Sequence, residues 1–315
     1  MLYCLNVLLT VDNVTFASAE NRCVFHVVSS ANYRYSRPAR HVQTYIRLIP
    51  PPNRGLQRVV EQDLRVAPLS HGVVEGEDRW GNRVFEVRHE QVEEHLTLIA
   101  EIEVETACRY TDEGIVIPTP IAPRARLYSE RRIFRETTDR TLPSADLERV
   151  AQEMRVGDAE NDPFAFAASL CAYVNDAMTF QSGSTHVATT AAEAWENRSG
   201  VCQDYTHITL CLFRLCGVPA RYVSGFVPGE GVMHAWVEVM LSRDGGEAGL
   251  SDAAWYAIDP TYNKWVTERY LTVAVGRDYG DVTPTSGNYY GGSNTLQYGT
   301  RVDSVRSHTV LLQAG

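Results

Sequence analysis

The chain has 315 residues, 44% of them hydrophobic, with 39 acidic against 29 basic side chains and a formal charge of −10. That balance excludes the basic footprint of a nucleic-acid binder, and no apolar run reaches the roughly 20 residues that a membrane helix needs. Seven cysteines, an odd number scattered along a long chain, do not form a disulfide framework, so a reducing cytoplasm is the expected home.

In chain order, residues 1–11 are apolar but lack a basic leading region and a small-residue cleavage site, so no signal peptide is expected there. Strand-like runs follow at residues 22–29, 41–49, 57–66, 83–87 and 96–106, several alternating polar and apolar. They predict a β-sandwich. Pro118, Pro120 and Pro123 mark an irregular stretch, and the length gives a prior of two domains. We place the domains at residues 1–140 and 141–315, the second ending in a C-terminal extension. Ser144 caps a helix with Leu147, Val150, Ala151 and Met154 on one face. Asp162-Pro163 opens another, to about Met178. Thr190 and Glu193 form a capping-box pattern before Ala194-Trp195. Residues 205–216 are apolar on nearly every side, as in a buried helix, and Gly217 and Pro219 stop it. Residues 234–241 alternate as a strand, and a Gly/Ser/Asp-rich loop at 242–251 leads to a second strand over 253–259. The tail from Gly280 is rich in Gly, Asn, Ser and Tyr, then strand-like over 296–312. The order of helices first and strands later gives an α+β fold.

Three residues in these elements carry the parts of a nucleophilic acyl-transfer enzyme: Cys202, His234 and Asp259. A thiol attacks a carbonyl, an imidazole takes and returns the proton, and a carboxylate holds the imidazole in one tautomer. Cys202 falls at the start of the buried helix, where free N–H groups and the helix dipole favour a thiolate. Ser199-Gly200 before it leaves room for the backbone to turn and for substrate to approach. If the strands over 234–241 and 253–259 pair antiparallel, a register with His234 directly opposite Asp259 brings the two within hydrogen-bond reach.

The run Gly200-Val201-Cys202-Gln203-Asp204-Tyr205-Thr206-His207 resembles the cysteine motif of bacterial transglutaminase-like proteins, a branch of the papain-like thiol enzymes. The segments at 217–225, His234-Ala235-Trp236-Val237-Glu238, Asp259-Pro260-Thr261 and 276–284 match the rest of that core in order. Tyr205-Thr206 stands where the family pattern has Phe-Ala. Tyr33-Arg34-Tyr35, Arg47-Leu48-Ile49-Pro50 and Trp80-Gly81-Asn82 resemble the domain that commonly precedes it. The resemblance implies a papain-like core with the cysteine helix packed on an antiparallel sheet, behind an N-terminal β domain. It implies a cysteine peptidase or amidase acting on a peptide or protein amide, or a protein-glutamine transglutaminase with an amine as acceptor. It also suggests an ATP-grasp ligase-like partner protein.

Plainer readings apply to the other candidates. Cys4, Cys23, Cys108, Cys171, Cys211 and Cys216 read as small buried hydrophobes, and His207 as a satisfied core histidine. Asp204 complements the helix dipole, Trp236 and Glu238 pack and bond locally, and Arg277, Asp278 and Asp281 form a structural corner. No zinc spacing and no phosphate-cradling glycine loop is present, so no cofactor or metal is expected. A non-catalytic peptide-binding or interaction protein is the alternative from another class.

Overall fold

The computed structural model describes residues 19–121, 131–155, 162–242 and 253–312. The expectations for residues 1–11, Cys4, Pro123 and most of the loop at 242–251 lie outside them. The first part of the chain supplies strands β1 (Ala19–Tyr35), β2 (Ala39–Ile46), β3 (Asn53–Arg54), β4 (Gln57–Ala67), β5 (Val73–Glu77), β6 (Arg83–Val92), β7 (His95–Tyr110) and β8 (Val116–Ile117). Strand β7 shows why they form. Leu96, Leu98, Ala100, Ile102 and Val104 are buried on one face. On the other, Glu101 pairs with His26 and Arg65, and Glu105 with Arg22 and Arg58. Period-two alternation thus gives one face to the core and one to water.

Helices α1 (Ala145–Arg155) and α2 (Pro163–Ala177) come next. Asp162 accepts from the N–H groups of Phe164 and Ala165 at 3.1 and 2.9 Å, the expected cap. A short strand β9 (Thr179–Phe180), helix α3 (Ala191–Asn197), strand β10 (Ser199–Gly200) and the central helix α4 (Cys202–Leu215) follow. Thr190 and Glu193 make the reciprocal capping bonds at 2.8 and 3.3 Å. Gly217, at φ +78°, ends α4 in a left-handed conformation.

Strands β11 (Ala220–Phe226), β12 (His234–Leu241), β13 (Ala254–Asp259), β14 (Lys264–Trp265) and β15 (Leu271–Gly276) form a five-stranded sheet in the order β14-β13-β12-β11-β15. Every residue of β11, β12, β13 and β15 is buried, because both faces of the sheet are covered. Ala235, Val237, Val239 and Leu241 share a core with the apolar residues of α4. Trp236 and Met240, on the other face, meet Trp80 and Ile121 from the first part of the chain. The fold is therefore α+β, with the cysteine helix packed on an antiparallel sheet.

The chain ends in a short helix α5 (Tyr279–Val282) and strands β16 (Thr285–Tyr290) and β17 (Asn294–Leu311). The C-terminal extension assigned to the second domain, 141–315, is where structure and expectation differ. Strand β17 pairs with β1 and β16 with β2, so both lie in the sheets built by the N-terminal strands. One sheet runs β17-β1-β7-β4-β3 with β8 on β7, the other β16-β2-β6-β5. The strand-like character of residues 296–312 announces a strand, but nothing local says which sheet receives it.

Candidate active site

Helix α4 begins at Cys202 because Asp204 anchors its first turn. The Asp204 carboxylate accepts from the Val201 N–H at 2.8 Å and the Thr185 hydroxyl at 2.7 Å. Burial pushes its pKa up, against those two donors. A Cβ on Gly200 would lie 2.6 Å from both Cβ and Oδ2 of Asp204. Gly200 is buried, so it makes room for Asp204 rather than for substrate, and Asp204 does more than complement the dipole. Cys202 is left half-buried at the head of the helix.

His234 opens β12 and is 2% exposed; Asp259 closes β13 and is fully buried. Their ring nitrogen and carboxylate, Nε2 and Oδ2, are 2.8 Å apart. The register that brings them together is not the one expected. Val237 stands opposite Ile258 and Met240 opposite Trp255, two residues away from a direct His234–Asp259 pairing. A two-residue offset preserves the face, so the pair meets diagonally, which a long side chain can span.

The Cys202 thiol is close enough to His234 to favour the protonated ring. With Nε2 taken by Asp259, Nδ1 is the nitrogen left for the sulfur. Burial lowers the basicity of His234, but the interactions with Asp259 and Cys202 outweigh it and push its pKa up to about 10. All three sequence-predicted residues are thus brought together.

Tyr270 was not predicted. Its hydroxyl donates to the same Asp259 Oδ2 at 2.6 Å, and its own pKa is raised by burial and by that carboxylate, so it stays a donor. Asp259 Oδ1 accepts from the Thr261 and Tyr262 N–H groups at 2.8 and 3.3 Å. The Tyr270 ring stands edge-on to Trp236 at 5.2 Å, and Trp236 stacks on His234 at 6.2 Å. A tyrosine eleven residues beyond the aspartate carries no spacing signal that would single it out.

The other candidates take structural roles, though not all in the expected way. His207 Nε2 accepts from the Tyr279 N–H at 3.3 Å and burial lowers its pKa to about 3, so it is a neutral core histidine, but only half satisfied, because its buried Nδ1 has no hydrogen-bond partner among the described residues. Glu238 is held by Arg221 at 2.6 Å and by Arg54 at 2.6 Å. Burial would raise its pKa, but the two guanidiniums hold it below the usual range. Arg277 bonds Asp281 at 2.9 Å, and Asp278 accepts from Gly280 N–H at 2.7 Å, forming the corner beside His207. Among the described residues, no group of three or more His, Cys, Asp and Glu is placed to hold a metal ion.

Comparison with known proteins agrees with this architecture. A profile of the Transglutaminase-like superfamily matches residues 148–260, and one of the Bacterial transglutaminase-like N-terminal region matches residues 25–105. Uncharacterized protein ML0607 of Mycobacterium leprae is 30% identical over 277 residues, covering 84% of this chain and 92% of its own. Uncharacterized protein Rv2569c of Mycobacterium tuberculosis is 35% identical over 139 residues, covering 41% of this chain and 43% of its own. A candidate cysteine protease of Cytophaga hutchinsonii superposes with a TM-score of 0.73 at 17% identity, over 95% of this chain and 96% of its own. The chain belongs to the transglutaminase-like superfamily, with the bacterial N-terminal domain of that family in front of its core.

Proposed function

We propose that this protein is a thiol-dependent acyl-transfer enzyme acting on amide bonds, with Cys202 as nucleophile, His234 as acid and base, and Asp259 as the group that fixes His234. The observation that carries the reading is the meeting of Cys202, His234 and Asp259, with 2.8 Å between the last two. The Cys202 thiolate attacks the carbonyl carbon of a peptide or side-chain amide. The backbone N–H of Cys202, in the first turn of α4, donates to the oxyanion. His234 passes its proton to the leaving nitrogen, the C–N bond breaks, and a thioester remains. Water, deprotonated by His234, attacks the thioester, and the acid and the free thiol are released.

Hydrolysis is the reading we favour, supported by the fold shared with the C. hutchinsonii candidate protease. The cytoplasm is the compartment we propose, supported by six described cysteines that are all free thiols. Among the described residues, no helix is long and apolar enough to cross a membrane. The test is incubation of the purified chain with a peptide library, with and without an added primary amine, read by mass. Cleaved or deamidated peptides in both conditions support hydrolysis. Amine adducts in their place make the enzyme a transglutaminase, and an unchanged library contradicts acyl transfer altogether.

A further inference from the structure

Glu230 is tied to Tyr262, whose ring lies beside the histidine of the site, by contacts that the three site residues do not require. It sits in a Gly229-Glu230-Gly231 turn whose glycines take φ +98° and +70°, with open space where a Cβ would stand. The glycines are therefore needed for the backbone turn and not for close packing. The turn is fixed at both ends: the Glu230 N–H donates to Val227 O at 3.3 Å, and the Thr300 N–H of β17 donates to Gly231 O at 2.9 Å. The Glu230 carboxylate accepts from the Tyr262 hydroxyl through Oε1. Tyr262 is in turn registered to the site, with its N–H on Asp259 Oδ1 and its ring 5.4 Å from the His234 ring. Lys264 is the cation nearby, 4.9 Å from the Tyr262 ring and 5.5 Å from the Tyr270 ring.

Because His234 must protonate the departing nitrogen, the leaving group lies on the His234 side of Cys202. Tyr262 lies beside the His234 ring, and Glu230 is bonded to Tyr262. We propose that Glu230 is a specificity-determining residue, selecting amides whose leaving group carries a positive charge close to the scissile bond, such as a basic residue or a free amine. Tyr262 occupies Oε1 and fixes the direction of the carboxylate, and Oε2 takes the cation. The Lys264 ammonium, drawn to the tyrosine rings, sets the opposite limit of the subsite and disfavours a second cation further along. The inference rests on Cys202 being the nucleophile.

The experiment needs no known substrate. The full chain is treated near neutral pH with cationic 2-aminoethyl methanethiosulfonate, anionic 2-sulfonatoethyl methanethiosulfonate and neutral iodoacetamide. Labelling of Cys202 is followed by peptide mass in wild type and Glu230→Gln, which keeps the acceptor for Tyr262 and removes only the charge. The ratio of cationic to anionic rates is expected to fall about fivefold in Glu230→Gln, the size of a unit charge acting across roughly 10 Å of partly screened protein. Iodoacetamide, which is uncharged, is the reference to which both charged rates are normalised in each protein. If iodoacetamide singles out Cys202 but the charge ratio is unchanged, the role of Glu230 is wrong and the nucleophile stands. If iodoacetamide does not single out Cys202, the nucleophile assignment falls and this inference with it.

Discussion

At the scale of single residues the site is a chain of donors with an unequal division of labour. On the proposed mechanism, Cys202→Ala is expected to abolish turnover, because Cys202 is its nucleophile. His234→Ala should cost nearly as much, since the thiolate loses its partner and the leaving nitrogen its acid. Asp259→Asn should cost less, because a thiol depends less than a hydroxyl on the third member. Kinetic constants for the three variants on one active substrate check the ranking, and a loss at Asp259 as large as that at Cys202 would overturn it. Two buried histidines should also give stability opposite pH dependences. His234 has a raised pKa, so its contribution is fully present below the unfolded value near 6.5 and lost as pH rises through about 10. His207 has a lowered pKa, so its contribution is present above about 6.5 and lost as pH falls toward about 3. Melting temperatures at pH 7 and pH 10 test the first: His234→Gln should lose less than wild type on the alkaline side. An equal fall in both proteins would mean that the His234 pair contributes nothing there.

At the scale of elements, Asp204 and Gly200 decide where α4 begins. Gly200→Ala forces a methyl onto a buried carboxylate 2.6 Å away. Asp204→Ala removes the acceptor of the Val201 N–H, a cap worth roughly 1–2 kcal/mol. Both should lower the unfolding midpoint and displace Cys202, which chemical denaturation together with Cys202 labelling rates would show. Wild-type stability in Gly200→Ala would contradict the packing argument. Much of this part was legible in the sequence. The caps at Asp162 and Thr190, the buried helix, the stop at Gly217 and the alternation of β12 all depend on neighbours within a few positions. The strand register was not legible, because alternation fixes which face a residue occupies but not its exact partner. His234 and Asp259 kept their shared face and met on the diagonal. Tyr270 stayed hidden for a related reason: its partner is fixed by the crossing of β13 and the segment before β15, which no local pattern encodes.

At the scale of the whole molecule, the N-terminal strands are built into the half that carries the candidate site. Strand β15 is an edge of the central sheet, and unpaired edges invite unwanted pairing. The side-chain amides of Gln57 and Asn82 cover it, exchanging pairs of bonds with the backbone of Thr272 at 2.7 and 2.8 Å and of Val275 at 2.7 Å. Thr106 and Tyr110 of β7 grip Glu268, two residues before Tyr270. Arg54 reaches Glu238 on the strand that carries His234. Arg54→Ala leaves a buried carboxylate with one guanidinium and should cost about 3 kcal/mol, read as a shift of the denaturation midpoint; a change near zero would show that Arg221 suffices. In the other direction, β16 and β17 complete the sandwich from the far end of the chain. A fragment of residues 1–135 should therefore be insoluble or unfolded, since β1 and β2 lose a neighbour each. A soluble, cooperatively melting fragment would show that the C-terminal strands are dispensable.

The measurement closest to the central claim is the rate at which iodoacetamide alkylates each cysteine at neutral pH, resolved by peptide mass, in wild type and in His234→Ala. The proposed roles of Cys202, His234 and Asp259 predict that Cys202 reacts fastest of the seven in wild type and slows sharply when the imidazole is removed. Equal labelling of Cys202 in the two proteins, or faster labelling of another cysteine, would contradict it.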